Sequence, residues 1–177
     1  MKPIVFLSGW GYEPTLWHAL SAELDGQPCH ALDLRLESRD VDACVERIAP
    51  ALPTGCLVVA WSLGALIALS LAARHPERVA GMLLIGATPC FARRENWAHG
   101  MAGDTMAAFT QNFDERPLQT LKRFLALQLL GDSARSILQS TLAPHLCQTP
   151  AAWPGLANGL KILASTDLRD RLPSAQI

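Results

Sequence analysis

What this sequence has little of sets the first limits. Charged residues make up 18% of the 177 and the net charge is −1 at neutral pH. The basic excess that a nucleic-acid binder carries is therefore missing, and no nucleic-acid partner is expected. Five cysteines (Cys29, Cys44, Cys56, Cys90, Cys147) include no CxxC pair and no metal-ligand spacing. An odd number at irregular intervals reads as reduced thiols in a reducing compartment, with no metal and no cofactor called for. The longest nearly apolar run, residues 63–73, falls well short of the roughly 18 residues of a membrane span. At the N-terminus the apolar stretch of residues 4–7 is broken by Ser8 and Gly9, too soon for the core of a signal peptide. Internal repeats and low-complexity segments are absent as well. The expectation is a cytoplasmic protein that stays off the membrane.

What is there is apolar and patterned. Hydrophobic residues make up 50% of the chain, and a domain of this length buries about 70% of the surface its unfolded chain exposes. Residues 4–7 (IVFL) form a short continuous apolar run ended by Ser-Gly, the mark of a strand buried on both faces. Residues 14–24 carry Leu16, Trp17, Leu20 and Leu24 on one helical stripe. A weaker strand is expected over 29–34. Asp40 is placed to cap a helix burying Val41, Cys44, Val45, Ile48 and Leu52. A third strand over 55–61, a helix over 63–74 closed by His75-Pro76, and a fourth strand over 79–85 follow. Strands alternating with helices of this size build βαβ units, hence an α/β fold on a parallel sheet with helices on both faces. After Thr88 the pattern changes, and residues 104–164 read as three or four helices in succession, a section of the kind that forms a cap or lid.

Ser62 stands at the junction of the third strand and the following helix, within VVAWSLGA (58–65). A nucleophile elbow needs small residues two before and two after the serine so that the backbone can bend sharply. Ala60-Trp61-Ser62-Leu63-Gly64 meets that need, with alanine in the first small position. The other reading of the same residues is a serine that caps a helix. A nucleophilic serine also needs hydrogen-bond donors for the developing oxyanion. The backbone N–H of Leu63, at a helix N-terminus, is one candidate. The N–H of Trp10, in the turn Ser8-Gly9-Trp10-Gly11 after the first strand, is the other; an ordinary Gly-rich turn is the alternative there.

These residues carry a resemblance. Gly9-Trp10-Gly11, Trp61-Ser62-Leu63-Gly64-Ala65 and His75-Pro76-Glu77-Arg78-Val79 are similar to the α/β-hydrolase superfamily. The stretches TPCFARRENW (88–97), KRFLALQ (122–128), GLKIL (159–163) and Asp167-Leu168-Arg169 resemble, more narrowly, the BioH-type carboxylesterases that demethylate pimeloyl-carrier-protein methyl ester in biotin synthesis. The resemblance implies an α/β-hydrolase core over 1–88, a helical lid over 89–165 and a return toward the core over 166–177. It implies Ser62 as nucleophile, Trp10 and Leu63 as oxyanion donors, a short acyl ester substrate on acyl carrier protein, and no cofactor. Lys122, Arg123 and Arg135 fall where family lids bind the acidic carrier; as single residues they also read as solvated charges.

Three departures stand out. Ser8 occupies a position where many relatives have histidine, and the segment between Asp33 and Asp40 lacks the usual Gly-x-Gly-x-Ser turn. In the superfamily the acid and the histidine follow the lid, in the order Ser, Asp, His. The expectation is that this chain is truncated before both, with its last strands absent, and that the complete protein is a monomer. Of its five histidines, His18, His30 and His75 are expected far from Ser62, while His99 and His145 lie in the lid region. Asp167 and Asp170 are weak candidates for the acid. Two other readings stay open: a hydrolase for other short-chain esters or thioesters, and a non-catalytic module that binds an acyl group or carrier protein.

Overall fold

The four apolar runs pair side by side. In the computed structural model, which describes residues 1–172, strands β1 (Ile4–Leu7), β2 (Cys29–Leu32), β3 (Cys56–Trp61) and β4 (Val79–Ile85) lie in the order β2-β1-β3-β4, every pair parallel. Helices α1 (His18–Glu23), α2 (Val41–Ile48) and α3 (Leu63–Arg74) form the crossovers. Helix α2 starts where expected because the Asp40 carboxylate accepts the Asp42 N–H at 2.8 Å. It buries Val41, Cys44, Val45 and Ile48, one face of a helix. Helix α3 is apolar on every side and fills the core against the sheet. The hydroxyl of its buried Ser70 is satisfied by donating to Asp42 at 2.8 Å.

The two faces of the sheet are treated differently. Cys56, Val58 and Ala60 point to one face and are fully buried. On the other, Phe6 is covered by Trp17, whose ring stacks on it at 5.0 Å. Farther along that same face, Leu57, Leu83 and Ile85 remain exposed, Leu83 to 60%. Among the described residues β4 pairs only with β3.

After β4 come four α-helices: α4 (Gly103–Glu115), α5 (Pro117–Gln128), α6 (Arg135–Leu142) and α7 (Trp153–Ser165). The chain then returns beside the end of the sheet, where the Leu168 N–H donates to the Pro89 carbonyl at 2.8 Å. Residues 173–177, part of the expected return toward another strand, lie outside the described residues.

Two expectations need correction. Residues 14–24 are not one helix: a 3₁₀ turn over Pro14–Trp17 precedes the short α1, and Leu20 is 42% exposed. The Trp17 indole donates to the Ser8 hydroxyl at 3.0 Å while its ring covers Phe6, and that anchoring outweighs the continuous helical stripe. The second strand ends at Leu32 rather than residue 34, because Asp33 turns the chain by accepting the Arg35 N–H at 3.0 Å. Arg35 takes φ 34°, a left-handed conformation that favours glycine, which explains how this loop turns without the usual glycines.

Candidate active site

In the strand order β2-β1-β3-β4 the chain steps from β1 to one side and then back to the other. The crevice beyond the carboxyl ends of β1 and β3 is therefore the topological switch point, where open α/β sheets bind their ligands. The residues that follow these two strands are Ser8-Gly9-Trp10-Gly11 and Ser62-Leu63-Gly64. The topology brings both motifs to one place.

Ser62 has φ 53° and ψ −115°, outside the regions open to an unstrained side-chain-bearing residue. Its backbone is held at both ends: its N–H donates to the Ile85 carbonyl at 2.9 Å, and its carbonyl accepts the Leu66 N–H at 3.1 Å. Its hydroxyl makes no capping bond to the first turn of α3. A capping serine has extended φ/ψ and uses its side chain on the N2 or N3 N–H. Ser62 does neither. Gly64 explains the tightness of the bend, since a Cβ there would collide with the Leu7 carbonyl oxygen and lie 2.7 Å from that of Ser8. Alanine suffices at position 60, which is fully buried within β3.

Trp10 and Gly11 form the centre of a turn closed by the Tyr12 N–H donating to the Gly9 carbonyl at 3.3 Å, with Gly11 at φ 87°. That is the type II pattern, which requires glycine at its third position. A Cβ built on Gly9 would lie 3.3 Å from the Ser62 Cβ, so this turn presses against the elbow. Trp10 and Leu63 are both buried, and among the described residues neither backbone N–H has an acceptor. Buried backbone donors are nearly always paired. Leu63 follows the strained serine directly, and Trp10 sits in the turn that presses against it, so both donors belong to segments that meet at Ser62.

Around it lies an aromatic nest. The Trp10 ring meets Phe109, Phe113 and Phe124 edge-on at 5.4, 5.3 and 5.2 Å, and its indole donates to the Leu156 carbonyl at 2.8 Å. A cleft of about 740 Å³ opens beside it along Trp10, Leu36, Leu63 and Cys147, with Asp33, Arg35 and Glu37 also on its wall; Leu63 lines it and Ser62 does not. Burial, with the charges of Glu13 and Asp33 adding to it, pushes the Cys147 thiol up to about 12, which disfavours its thiolate. Burial likewise pushes the Tyr12 phenol to about 12; it donates to Gln128 Oε1 at 2.7 Å.

None of the five histidines bonds to Ser62. His18, His30 and His99 are exposed, the last edge-on to Trp97 at 6.0 Å. His75 reaches Glu46 at 3.2 Å. The ring of His145 meets the Thr15 hydroxyl at 3.0 Å, a position that takes it out of the pocket. Asp167 pairs with Arg169 at 2.7 Å, a bond that holds its carboxyl down at about 2. Asp170 lies exposed in the short turn Arg169–Arg171. Lys122 and Arg123 are exposed on α5, and Arg135 is exposed at the start of α6. The sequence reading missed Leu36, Leu156, Gly159 and the three phenylalanines; only Phe109 and Phe113, four apart on α4, left a readable signal. Among the described residues no cluster of three or more His, Cys, Asp or Glu is placed to hold a metal ion, and no helix is long and apolar enough to cross a membrane.

Residues 4–176 match the alpha/beta hydrolase family. The chain is 38% identical over 183 residues to a pimeloyl-[acyl-carrier protein] methyl ester esterase of Aromatoleum aromaticum, covering 96% of this chain and 73% of that protein. It is 38% identical over 181 residues to the enzyme of the same name in Nitrosomonas europaea, covering 96% and 71%. Among solved structures, an esterase from Exiguobacterium antarcticum superposes with a TM-score of 0.79 at 21% identity, over 100% of this chain and 71% of the other. A thermophilic esterase from Thermogutta terrifontis gives 0.73 at 15% identity, over 96% and 66%.

Proposed function

This chain belongs to the alpha/beta hydrolase family, among its carboxylic ester hydrolases, and from that premise we propose that Ser62 is its nucleophile and a pimeloyl-type methyl ester on acyl carrier protein its substrate. The observation that carries the reading is the strained, non-capping Ser62 at the elbow against which the turn of residues 9–11 presses, with no acceptor among the described residues for the backbone N–H of Trp10 or of Leu63. The substrate rests on the names of the relatives that are 38% identical.

In this reading the Ser62 oxygen attacks the ester carbonyl carbon as its proton passes to solvent water or to added imidazole, which later returns it to the leaving methoxide. The carbonyl oxygen becomes an oxyanion that accepts from the N–H groups of Trp10 and Leu63. Loss of one such donor typically costs about 3 kcal/mol of transition-state stabilisation. Collapse of the tetrahedral intermediate breaks the carbon–oxygen bond to methoxide, which leaves as methanol once protonated. Water then attacks the acyl-serine, releasing the carboxylate and restoring the Ser62 hydroxyl. In this reading the acyl chain lies along the Trp10 and Leu36 side of the cleft, α4 to α7 serve as its lid, and Lys122, Arg123 and Arg135 face the acidic carrier.

No histidine in residues 1–172 is placed to take the Ser62 proton. The reading therefore predicts slow hydrolysis of p-nitrophenyl butyrate, which added imidazole accelerates in the wild type and not in Ser62→Ala beyond the rate of imidazole alone. Equal rates for wild type and Ser62→Ala, with and without imidazole, overturn the assignment. Faster release of methanol from pimeloyl-carrier-protein methyl ester than from free methyl butyrate supports the substrate; the reverse preference points to a general short-chain esterase.

A further inference from the structure

Helix α7 holds a glycine in its interior, at 159, although glycine is among the poorest helix formers. The surroundings supply the reason. A Cβ on Gly159 would lie 2.9 Å from Leu36 Cδ1, 3.0 Å from Trp10 Cδ1 and 3.1 Å from Leu63 Cδ2. The side chains of Trp10 and Leu63, the two residues read as oxyanion donors, thus converge on one Cα. Three residues earlier, the Leu156 carbonyl accepts the Trp10 indole at 2.8 Å in a buried bond. Asn158, between them, donates its side-chain N–H to the Leu36 carbonyl at 2.9 Å and so ties the loop after β2 to the same stretch.

We propose that Gly159 and the Leu156 carbonyl form a positioning seat on α7 that sets the Trp10 and Leu63 N–H groups at the oxyanion site, an inference that rests on reading those two as the donors. Trp10 cannot yield to a new methyl group by turning its ring, because the indole bond and three phenylalanine edges fix the ring plane. The end of the Leu36 side chain can turn away, while a displacement of a few tenths of an ångström passes to the Trp10 backbone and, through its side chain, to Leu63. Gly155, one turn away on the same helix, provides the contrast: a Cβ there would find its nearest neighbour, the Leu36 nitrogen, at an ordinary 3.6 Å.

The test compares wild type, Gly159→Ala and Gly155→Ala by imidazole-assisted hydrolysis of p-nitrophenyl butyrate, thermal melting and the backbone ¹H–¹⁵N spectrum. The expected result for Gly159→Ala is a fall in kcat of about tenfold or more with KM within about twofold, as a misplaced site gives. Its melting midpoint should stay within about 3 °C of that of Gly155→Ala, the stability control for an added methyl group on the same helix. The Trp10 and Leu63 amide signals should both move in Gly159→Ala while those of β2 stay. A folded Gly159→Ala with wild-type kcat and wild-type Trp10 and Leu63 signals overturns the proposal. Should Gly159→Ala fail to fold, Trp10→Phe, which keeps an aromatic ring but loses the bond to Leu156, is read in the same way: a displaced Leu63 signal with lowered kcat supports the seat, and neither change overturns it. If the wild type shows no Ser62-dependent hydrolysis, that result counts against Ser62 as nucleophile, and the spectra alone decide the seat. Joint movement of the two amides then supports it, and unmoved signals overturn it.

Discussion

Replacing Gly64 by alanine tests the elbow without touching a group that meets the substrate. Two effects oppose each other. Alanine gains up to about 1 kcal/mol over glycine in a helix, and Gly64 is the second residue of α3. The added Cβ, however, would overlap the Leu7 carbonyl oxygen and lie 2.7 Å from both the Leu7 carbonyl carbon and the Ser8 carbonyl oxygen. All three are backbone atoms at the end of β1, so no rotamer change relieves the contact. Overpacking of this kind costs about 1–3 kcal/mol, and the rigid partners place it at the upper end. The net loss is about 2 kcal/mol, which lowers the melting midpoint of a protein this size by about 4–8 °C. The control is Gly103→Ala at the start of α4, where a Cβ would meet nothing within 4 Å; it should be neutral or gain up to about 1 kcal/mol. Urea and thermal denaturation of both variants read the difference. A Gly64→Ala protein as stable as Gly103→Ala would refute the close approach of α3 to β1 as the reason for glycine.

Two further outcomes follow from charge and exposure. The Arg169 guanidinium holds Asp167 at about 2, below its ordinary 3.8. A depressed carboxylate contributes stability that is complete above the unfolded value and disappears as pH falls through the folded one. The melting difference between wild type and Asp167→Asn should therefore be constant above pH 4, shrink between about 4 and 2, and vanish below; a difference that persists at pH 1.5 rules the ion pair out as its source. Leu83, 60% exposed, shares one face of the sheet with exposed Leu57 and Ile85, and an exposed apolar patch promotes association. Sedimentation velocity should show Leu83→Lys with less dimer and oligomer than the wild type at equal concentration; matching distributions would mean the face is inert.

The parts of the fold that the sequence made legible are those set by local pattern. Residues 4–7, 56–61 and 79–85 are short apolar runs bounded by turn residues, and each became a strand. Asp40 announced α2 because a cap acts two residues away. Ser62 and Gly64 were readable together since the elbow's steric demand falls on neighbours in the chain. What stayed hidden depends on distant partners. The split of residues 14–24 follows from Trp17 binding Ser8 and covering Phe6. The left-handed Arg35 gives no sign in its own side chain. The meeting of Leu36, Trp10 and Leu63 at Gly159 joins four separate segments, and no spacing along the chain encodes it. His145 looked available for the pocket only until Thr15, 130 positions earlier, was found against its ring.

The strain at Ser62 also has a structural consequence. A side-chain-bearing residue in such a conformation costs about 1–3 kcal/mol, and it persists only where the surroundings over-determine it. Here they do so entirely through the backbone: the Ile85 carbonyl and the Leu66 N–H take up the peptide groups of Ser62, and the approach of Gly64 to Leu7 and Ser8 forbids the turn from opening. Because the main chain alone fixes the bend, the hydroxyl is left without a structural task, unlike Ser8 and Ser70, whose hydroxyls are occupied by Trp17 and Asp42. Substituting Ser62 by alanine should therefore leave the elbow and the stability nearly unchanged while removing any chemistry at its oxygen. That separation is what makes Ser62→Ala a clean control for activity: a loss of hydrolysis with an unaltered melting midpoint belongs to the hydroxyl itself.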